Sequence, residues 1–131
     1  MILLDTHALV WLMLEPKKLS RAAGSAIRRA RANGGIGIAA ISLWELAWLY
    51  SLGRVKGRGA VETWLRAIVE AAGVTIVPIT SEIAALATQF PEDFPHDPAD
   101  RLIAATARSE GLALVTRDVR IRQCTLLKTI W

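Results

Sequence analysis

With a single cysteine in 131 residues, the chain cannot build an internal disulfide framework or a thiolate zinc site, and it suits a reducing cytoplasm. Cys124 lies in a polar stretch with no other Cys and no His near it, so it carries no catalytic expectation. Low-complexity and disordered tracts are absent, as are internal repeats, and residues 1–131 read as one domain. The N-terminus lacks the basic stretch of a signal peptide, and Asp5 interrupts its apolar run. No uninterrupted apolar segment reaches membrane length. Ile36–Gly53 comes nearest, but Ser42 and Glu45 break it and its period fits an amphipathic helix. The expectation is a soluble cytoplasmic protein with no membrane partner.

What is present is a large apolar fraction, 53% against 21% charged, enough for a globular core. The net charge is +4 and the excess is local: Lys17, Lys18, Arg21, Arg28, Arg29 and Arg31, then Arg54, Lys56 and Arg58, then Arg117, Arg120 and Arg122. Such clusters suit a phosphate backbone, although composition alone favours a plain solvated surface.

Periodicity and breakers predict strands over Ile2–Leu4, Ile36–Ala39, Val74–Ile79 and Leu112–Val115, with a fifth over Leu126–Ile130. Between them fall helices over Thr6–Leu14, Leu19–Ala32, Ser42–Leu52, Val61–Ala72, Thr80–Gln89 and Ala99–Glu110. Phe90–Pro98, with three prolines, reads as a loop. Strands alternating with helices imply a helix-covered, mainly parallel sheet of four to five strands, and short all-apolar strands fit burial on both faces. Ligands of such sheets bind beyond the carboxyl ends of the strands.

Four acids stand at edges of apolar segments: Asp5 after Leu3-Leu4, Glu45 within Ser42-Leu43-Trp44-Glu45, Asp100 within Asp97-Pro98-Ala99-Asp100, and Asp118 after Val115-Thr116-Arg117. A carboxylate beside a core-forming segment needs a hydrogen bond, a cation or a metal. Each also has a local reading. Asp5 fits a helix cap, Ser42 and Glu45 a capping box, Asp97 a cap ahead of Pro98, Asp100 a dipole-favoured first turn, and Asp118 a turn. Taken singly the local readings are the commoner ones. As a set with no obvious basic partners, the acids point to a shared cation, and oxygen-only ligands select Mg²⁺ or Mn²⁺ over zinc.

The order of Leu3-Leu4-Asp5-Thr6-His7, Ile41-Ser42-Leu43-Trp44-Glu45-Leu46, His96-Asp97-Pro98-Ala99-Asp100-Arg101-Leu102-Ile103 and Leu114-Val115-Thr116-Arg117-Asp118 resembles the PIN-domain family. Within it, the chain looks most like the VapC ribonuclease toxins of bacterial toxin–antitoxin pairs, from end to end. The resemblance implies a three-layer α/β/α sandwich and a Mg²⁺- or Mn²⁺-dependent endoribonuclease. It implies Asp5, Glu45, Asp100 and Asp118 as the metal-holding catalytic quartet, with Thr6 and Thr116 as supporting hydroxyls. It also implies a homodimer and a groove for a VapB-type antitoxin. Asp97 is an extra acid of the third motif, with three readings, a metal ligand, a group supporting the ligands or only a cap, of which the cap is preferred. Arg101 is read as pairing with Asp100 or contacting RNA phosphate, the ion pair being the plainer choice. His7 and His96 are read as orienting substrate or neighbouring carboxylates.

Metal-assisted attack by water would leave 5′-phosphate and 3′-hydroxyl ends. Trp11, Trp44, Trp48, Trp64 and Trp131 exceed what a small core needs, and Trp44 and Trp48 share a helix face. Some indoles therefore point to a protein interface, which the resemblance makes a homodimer contact or the antitoxin groove. Three rivals remain: a non-catalytic PIN-like module that holds RNA or protein, a receiver domain, and an aspartyl phosphatase. No Lys occurs between Lys56 and Lys128, as a receiver would want, and His7 stands where a phosphatase would place its second acid.

Overall fold

The computed structural model describes residues 1–131. Its sheet has five strands, β1 (Ile2–Leu4), β2 (Ile36–Ala39), β3 (Thr75–Val77), β4 (Leu114–Val115) and β5 (Thr129–Ile130), all parallel, in the order β3-β2-β1-β4-β5. Side chains alternate across it as the pleat requires. Leu4, Ile36, Ile38 and Val115 face one core with α1 (Thr6–Leu14), α2 (Arg21–Ala32), α3 (Ile41–Ser51) and α4 (Val61–Ala72). Leu3, Ala39 and Leu114 face the other with α5 (Ser81–Ala87), α6 (Pro98–Glu110) and α7 (Val119–Arg122). The result is the α/β/α sandwich that the alternation predicts.

Local chemistry sets most boundaries. Ser20 caps α2, Thr80 caps α5, and Asp97 caps α6 ahead of Pro98 at its first position. Gly73 and Gly111 end α4 and α6 at φ 64°, a left-handed conformation that favours glycine. The Phe90–Pro98 segment is anchored: Phe90 and Phe94 are buried and stacked with centroids 4.2 Å apart.

Several expectations are corrected. β3, β4 and β5 are shorter than the apolar runs that suggested them, because only the centre of the first run and the last two residues of the other two find a partner strand. α5 stops at Ala87 rather than Gln89, with the Thr88 hydroxyl turned back to the Ala85 carbonyl. α3 begins at Ile41, directly after β2, so Ser42 is not its cap and Glu45 lies in the second turn. The Ser42–Glu45 capping box does not form. A 3₁₀ turn at Pro16–Lys18 and the helix α7 had no sequence expectation; Asp118 caps α7 instead of sitting in a simple turn.

Candidate metal centre

The strand order reverses between β1 and β4, and such a switch point opens a crevice at the carboxyl ends of the strands. Asp5 is the first residue after β1, and its amide donates to the Val115 carbonyl of β4 at 3.1 Å. Thr116 and Asp118 follow β4. α3 rises from the end of β2, and α6 presents its N-terminus because its other end must feed β4 from the far edge. Four distant segments therefore bring Asp5, Glu45, Asp97, Asp100 and Asp118 to one place. Their mutual repulsion records this: Asp97, Glu45, Asp118 and Asp5 all act on Asp100, and Asp5 acts on Glu45.

Most of these carboxylates are held. Asp5 Oδ1 accepts from the Ala8 amide at 2.7 Å as the cap of α1. Asp118 Oδ1 accepts from the Arg120 and Ile121 amides at 2.9 and 3.4 Å, while its own amide donates to Thr116 Oγ1 at 3.1 Å. Asp97 Oδ1 accepts from the Ala99 and Asp100 amides at 2.8 and 3.3 Å. Glu45 joins a buried hydroxyl relay. Thr6 Oγ1 lies 2.5 Å from Glu45 Oε1 and 2.9 Å from Ser42 Oγ. Since a hydroxyl carries one proton, Thr6 donates to the carboxylate and accepts from Ser42. Thr6 and Ser42 are buried, so the relay is shielded from water.

Asp100 differs. Its carboxylate accepts no hydrogen bond from the protein, and the only ion pairs in the chain are Lys18–Glu15 and Arg66–Glu62. Burial first, then Asp97, Glu45, Asp118 and Asp5, push its pKa up to about 7. Asp5 and Glu45 are also raised, burial being the main cause in both, with the Thr116 and Thr6 hydroxyls respectively pulling the other way. Arg101 does not pair with Asp100. Its Nε donates to the Pro95 carbonyl at 2.9 Å and its guanidinium lies 5.9 Å from the Phe94 ring centroid, which braces the loop ahead of α6. His96 Nε2 is 3.1 Å from the Glu92 carbonyl, in the same loop.

No three of the His, Cys, Asp and Glu side chains stand close enough together to enclose one ion. Mg²⁺ does not require that, since it keeps several waters and is commonly held by one or two carboxylates. The donors are carboxylate oxygens crowded with like charge, so the residues fit Mg²⁺ or Mn²⁺ better than zinc.

Two clefts flank the acids and share His7. One, of about 600 Å³, is lined by Ile41, Trp44, Trp48, Leu49 and Pro98, with Glu45 and Asp97 at its acidic side. Trp44 and Trp48 stack with centroids 5.9 Å apart and are 58% and 52% exposed, whereas Trp64 is in the core. The other, of about 300 Å³, is lined by Asp5, Trp11, Arg117 and Asp118. Sequence reading placed Ser42 in a cap and Arg117 in a general basic surface. The adjacency of each to a strand's carboxyl end was the signal available for both.

The PIN domain model matches residues 2–125. Ribonuclease VapC22 of Mycobacterium tuberculosis is 46% identical over 121 residues, which span 92% of this chain and 89% of that protein. Among solved structures, VapBC2 from Rickettsia felis, bound to a DNA fragment from its promoter, superposes with a TM-score of 0.72 at 19% identity over 98% of this chain and 97% of that one. VapBC-1 from nontypeable Haemophilus influenzae gives 0.69 at 24% identity, covering 98% and 96%. With the model matched over nearly the whole chain and a relative this similar, the chain is a PIN domain and belongs to the VapC family.

Proposed function

We propose that this chain is an endoribonuclease toxin, the VapC-type member of a toxin–antitoxin pair, acting in the cytoplasm on RNA with Mg²⁺ or Mn²⁺. One observation carries the reading: carboxylates from four segments meet at the β1/β4 switch point with no lysine or arginine paired to any of them. A non-catalytic module has no use for so costly a cluster, whereas a divalent ion would neutralise it.

In this reading Asp5, Glu45, Asp100 and Asp118 surround the metal, one or two of them binding it directly and the others through its waters. A bound ion would acidify a water and offset charge on the phosphoryl and leaving oxygens. The protein's part is to aim the ligands. Thr6, anchored by Ser42, fixes the rotamer of Glu45, and Thr116 positions Asp5 and Asp118 from the end of β4. Asp97 shapes the start of α6 as its cap and thereby places Asp100. Because water rather than the 2′-hydroxyl attacks, the products carry 5′-phosphate and 3′-hydroxyl ends.

The Trp44–Trp48 cleft suits the C-terminal segment of a VapB-type antitoxin: apolar side chains would lie on the indoles, and a basic one would reach Glu45 and Asp97. The active assembly is a homodimer in this reading. The test is cleavage of total RNA by the antitoxin-free protein with Mg²⁺, with EDTA, and with Asp100→Asn, followed by end-group analysis. Metal-dependent cleavage lost in the variant and 5′-phosphorylated products are expected. Metal-independent cleavage, or cyclic phosphate ends, would overturn it.

A further inference from the structure

Five carboxylates around one crevice create a problem for a substrate that is itself anionic. Even with a divalent ion in place, an RNA phosphate approaching the outer side of this centre meets uncompensated negative charge. In the cleft beside Asp5 and Asp118, one side chain carries a permanent positive charge, that of Arg117. It stands between Thr116 and Asp118 in sequence, so its backbone is set by the end of β4.

The guanidinium does not do what an arginine in acidic surroundings ordinarily does. It forms no ion pair with Asp5 or Asp118, nor any hydrogen bond to the protein. Instead it lies over the Trp11 ring, 5.9 Å from the centroid. Trp11 is itself braced, with His7 at 5.8 Å and Trp131 at 5.6 Å between centroids. The aromatic brace orients a planar fork beside the acids and leaves its N–H donors free. A guanidinium held in this way matches the two oxygens of a phosphodiester, which a carboxylate-lined wall cannot.

We infer that Arg117, positioned by Trp11, anchors a backbone phosphate of the RNA beside the metal centre. The inference rests on the ribonuclease reading above and adds to it a substrate-binding residue outside the acidic quartet. Arg117 is exposed and its role is to bind and place the strand, not to exchange protons with it.

The experiment uses the full chain with Mg²⁺ and a fluorescent mixed-sequence oligoribonucleotide, measuring binding at several NaCl concentrations in Asp100→Asn and cleavage in the otherwise native protein. Arg117→Met keeps an aliphatic chain on Trp11 and removes the charge. Arg117→Lys keeps the charge and removes the fork. Arg120→Met, on exposed α7 and outside this cleft, removes one charge from the same neighbourhood. Loss of one charge-assisted phosphate contact should weaken binding about 10-fold or more at low salt. It should also flatten the slope of log K against log salt by about 0.7, with KM rising more than kcat falls. Arg117→Lys should restore the slope and part of the affinity, and Arg120→Met should leave the KM-to-kcat balance alone. Equal slopes for Arg117→Met and the native side chain would overturn the anchor, as would equal losses from Arg117→Met and Arg120→Met. A lowered melting temperature with unchanged salt slope would show Arg117 only packing on Trp11 and would overturn it too. If the native chain neither binds nor cleaves RNA, the ribonuclease reading falls together with the anchor.

Discussion

On one side of the acidic centre, stacked and exposed indoles of Trp44 and Trp48 border a wide apolar cleft; on the other, Trp11 is half-buried and supports a guanidinium above a cleft half that volume. The same residue type is used in opposite ways. Two indoles facing water suit the binding surface proposed for them, since an aromatic pair left uncovered forgoes the burial that would otherwise stabilise the fold. An indole packed between His7, Trp131 and Arg117 is a brace. In the proposed function, one charged centre is offered to two kinds of partner, apolar-plus-basic on the first side and anionic on the second.

The largest expected effect removes what both flanks depend on. Asp100→Asn should lower RNA cleavage by about 10²-fold or more while the fold survives, because the swap keeps shape and deletes a charge proposed to hold the metal. Asp97→Asn should have a far smaller effect, because asparagine caps a helix about as well as aspartate. Steady-state cleavage by the two variants tells them apart, and equal losses would make Asp97 a ligand instead of a cap.

Next in size is the apolar flank. Trp44→Ala should weaken antitoxin binding by about 30-fold, the loss of a hot-spot side chain worth ~2 kcal/mol, and leave cleavage nearly unchanged. Titration calorimetry and a cleavage assay on one preparation check it. Parallel loss of both would mean that the two flanks are not separable.

Thr6→Val strips Glu45 of its donor and leaves Ser42 without its acceptor. Cleavage should fall about 10-fold, the usual cost of losing a group that orients a metal ligand. Normal Mg²⁺ dependence and rate in this variant would show that the relay does not position Glu45.

The smallest effect is on stability. Asp100 has its pKa raised from 3.8 to about 7, so between these values the metal-free folded state binds more protons than the unfolded chain. Its contribution is therefore fully present below pH 3.8 and is lost as pH rises through about 7. Millimolar Mg²⁺ should raise the melting temperature by a few degrees at pH 8 and by less at pH 5.5, where protons compete with it. Thermal melts at fixed ionic strength measure this, and an equal or larger shift at the lower pH would contradict the crowding of the acids.

Much of the architecture was legible along the chain because its signals are local. Ser20, Thr80 and Asp97 cap helices, Gly73 and Gly111 end them, and the apolar runs at Ile2–Leu4 and Ile36–Ala39 became strands at those boundaries. The four acids could be picked out for a similar reason: each breaks an apolar segment where a local cap alone did not exhaust its chemistry. The capping box at Ser42 and the ion pair of Arg101 failed because those readings assumed that nearest neighbours in sequence would be partners. Thr6 comes to Glu45 from another helix, and the Pro95 carbonyl takes Arg101 away from Asp100.

The sequence by itself determined the alternation of strands and helices, the caps at Asp5 and Asp97, the identity of the acids and an excess of tryptophan. Only the tertiary structure decided that the order of the sheet reverses between β1 and β4, which puts Asp5 beside Asp118 and aims α6 at both. It alone decided which indoles face water, because residues one helical turn apart share a face without saying what covers it. The physical reason is range. Caps, turns and periodicity act over a few residues, whereas the burial and mutual repulsion that shape the acidic centre arise between segments far apart in sequence.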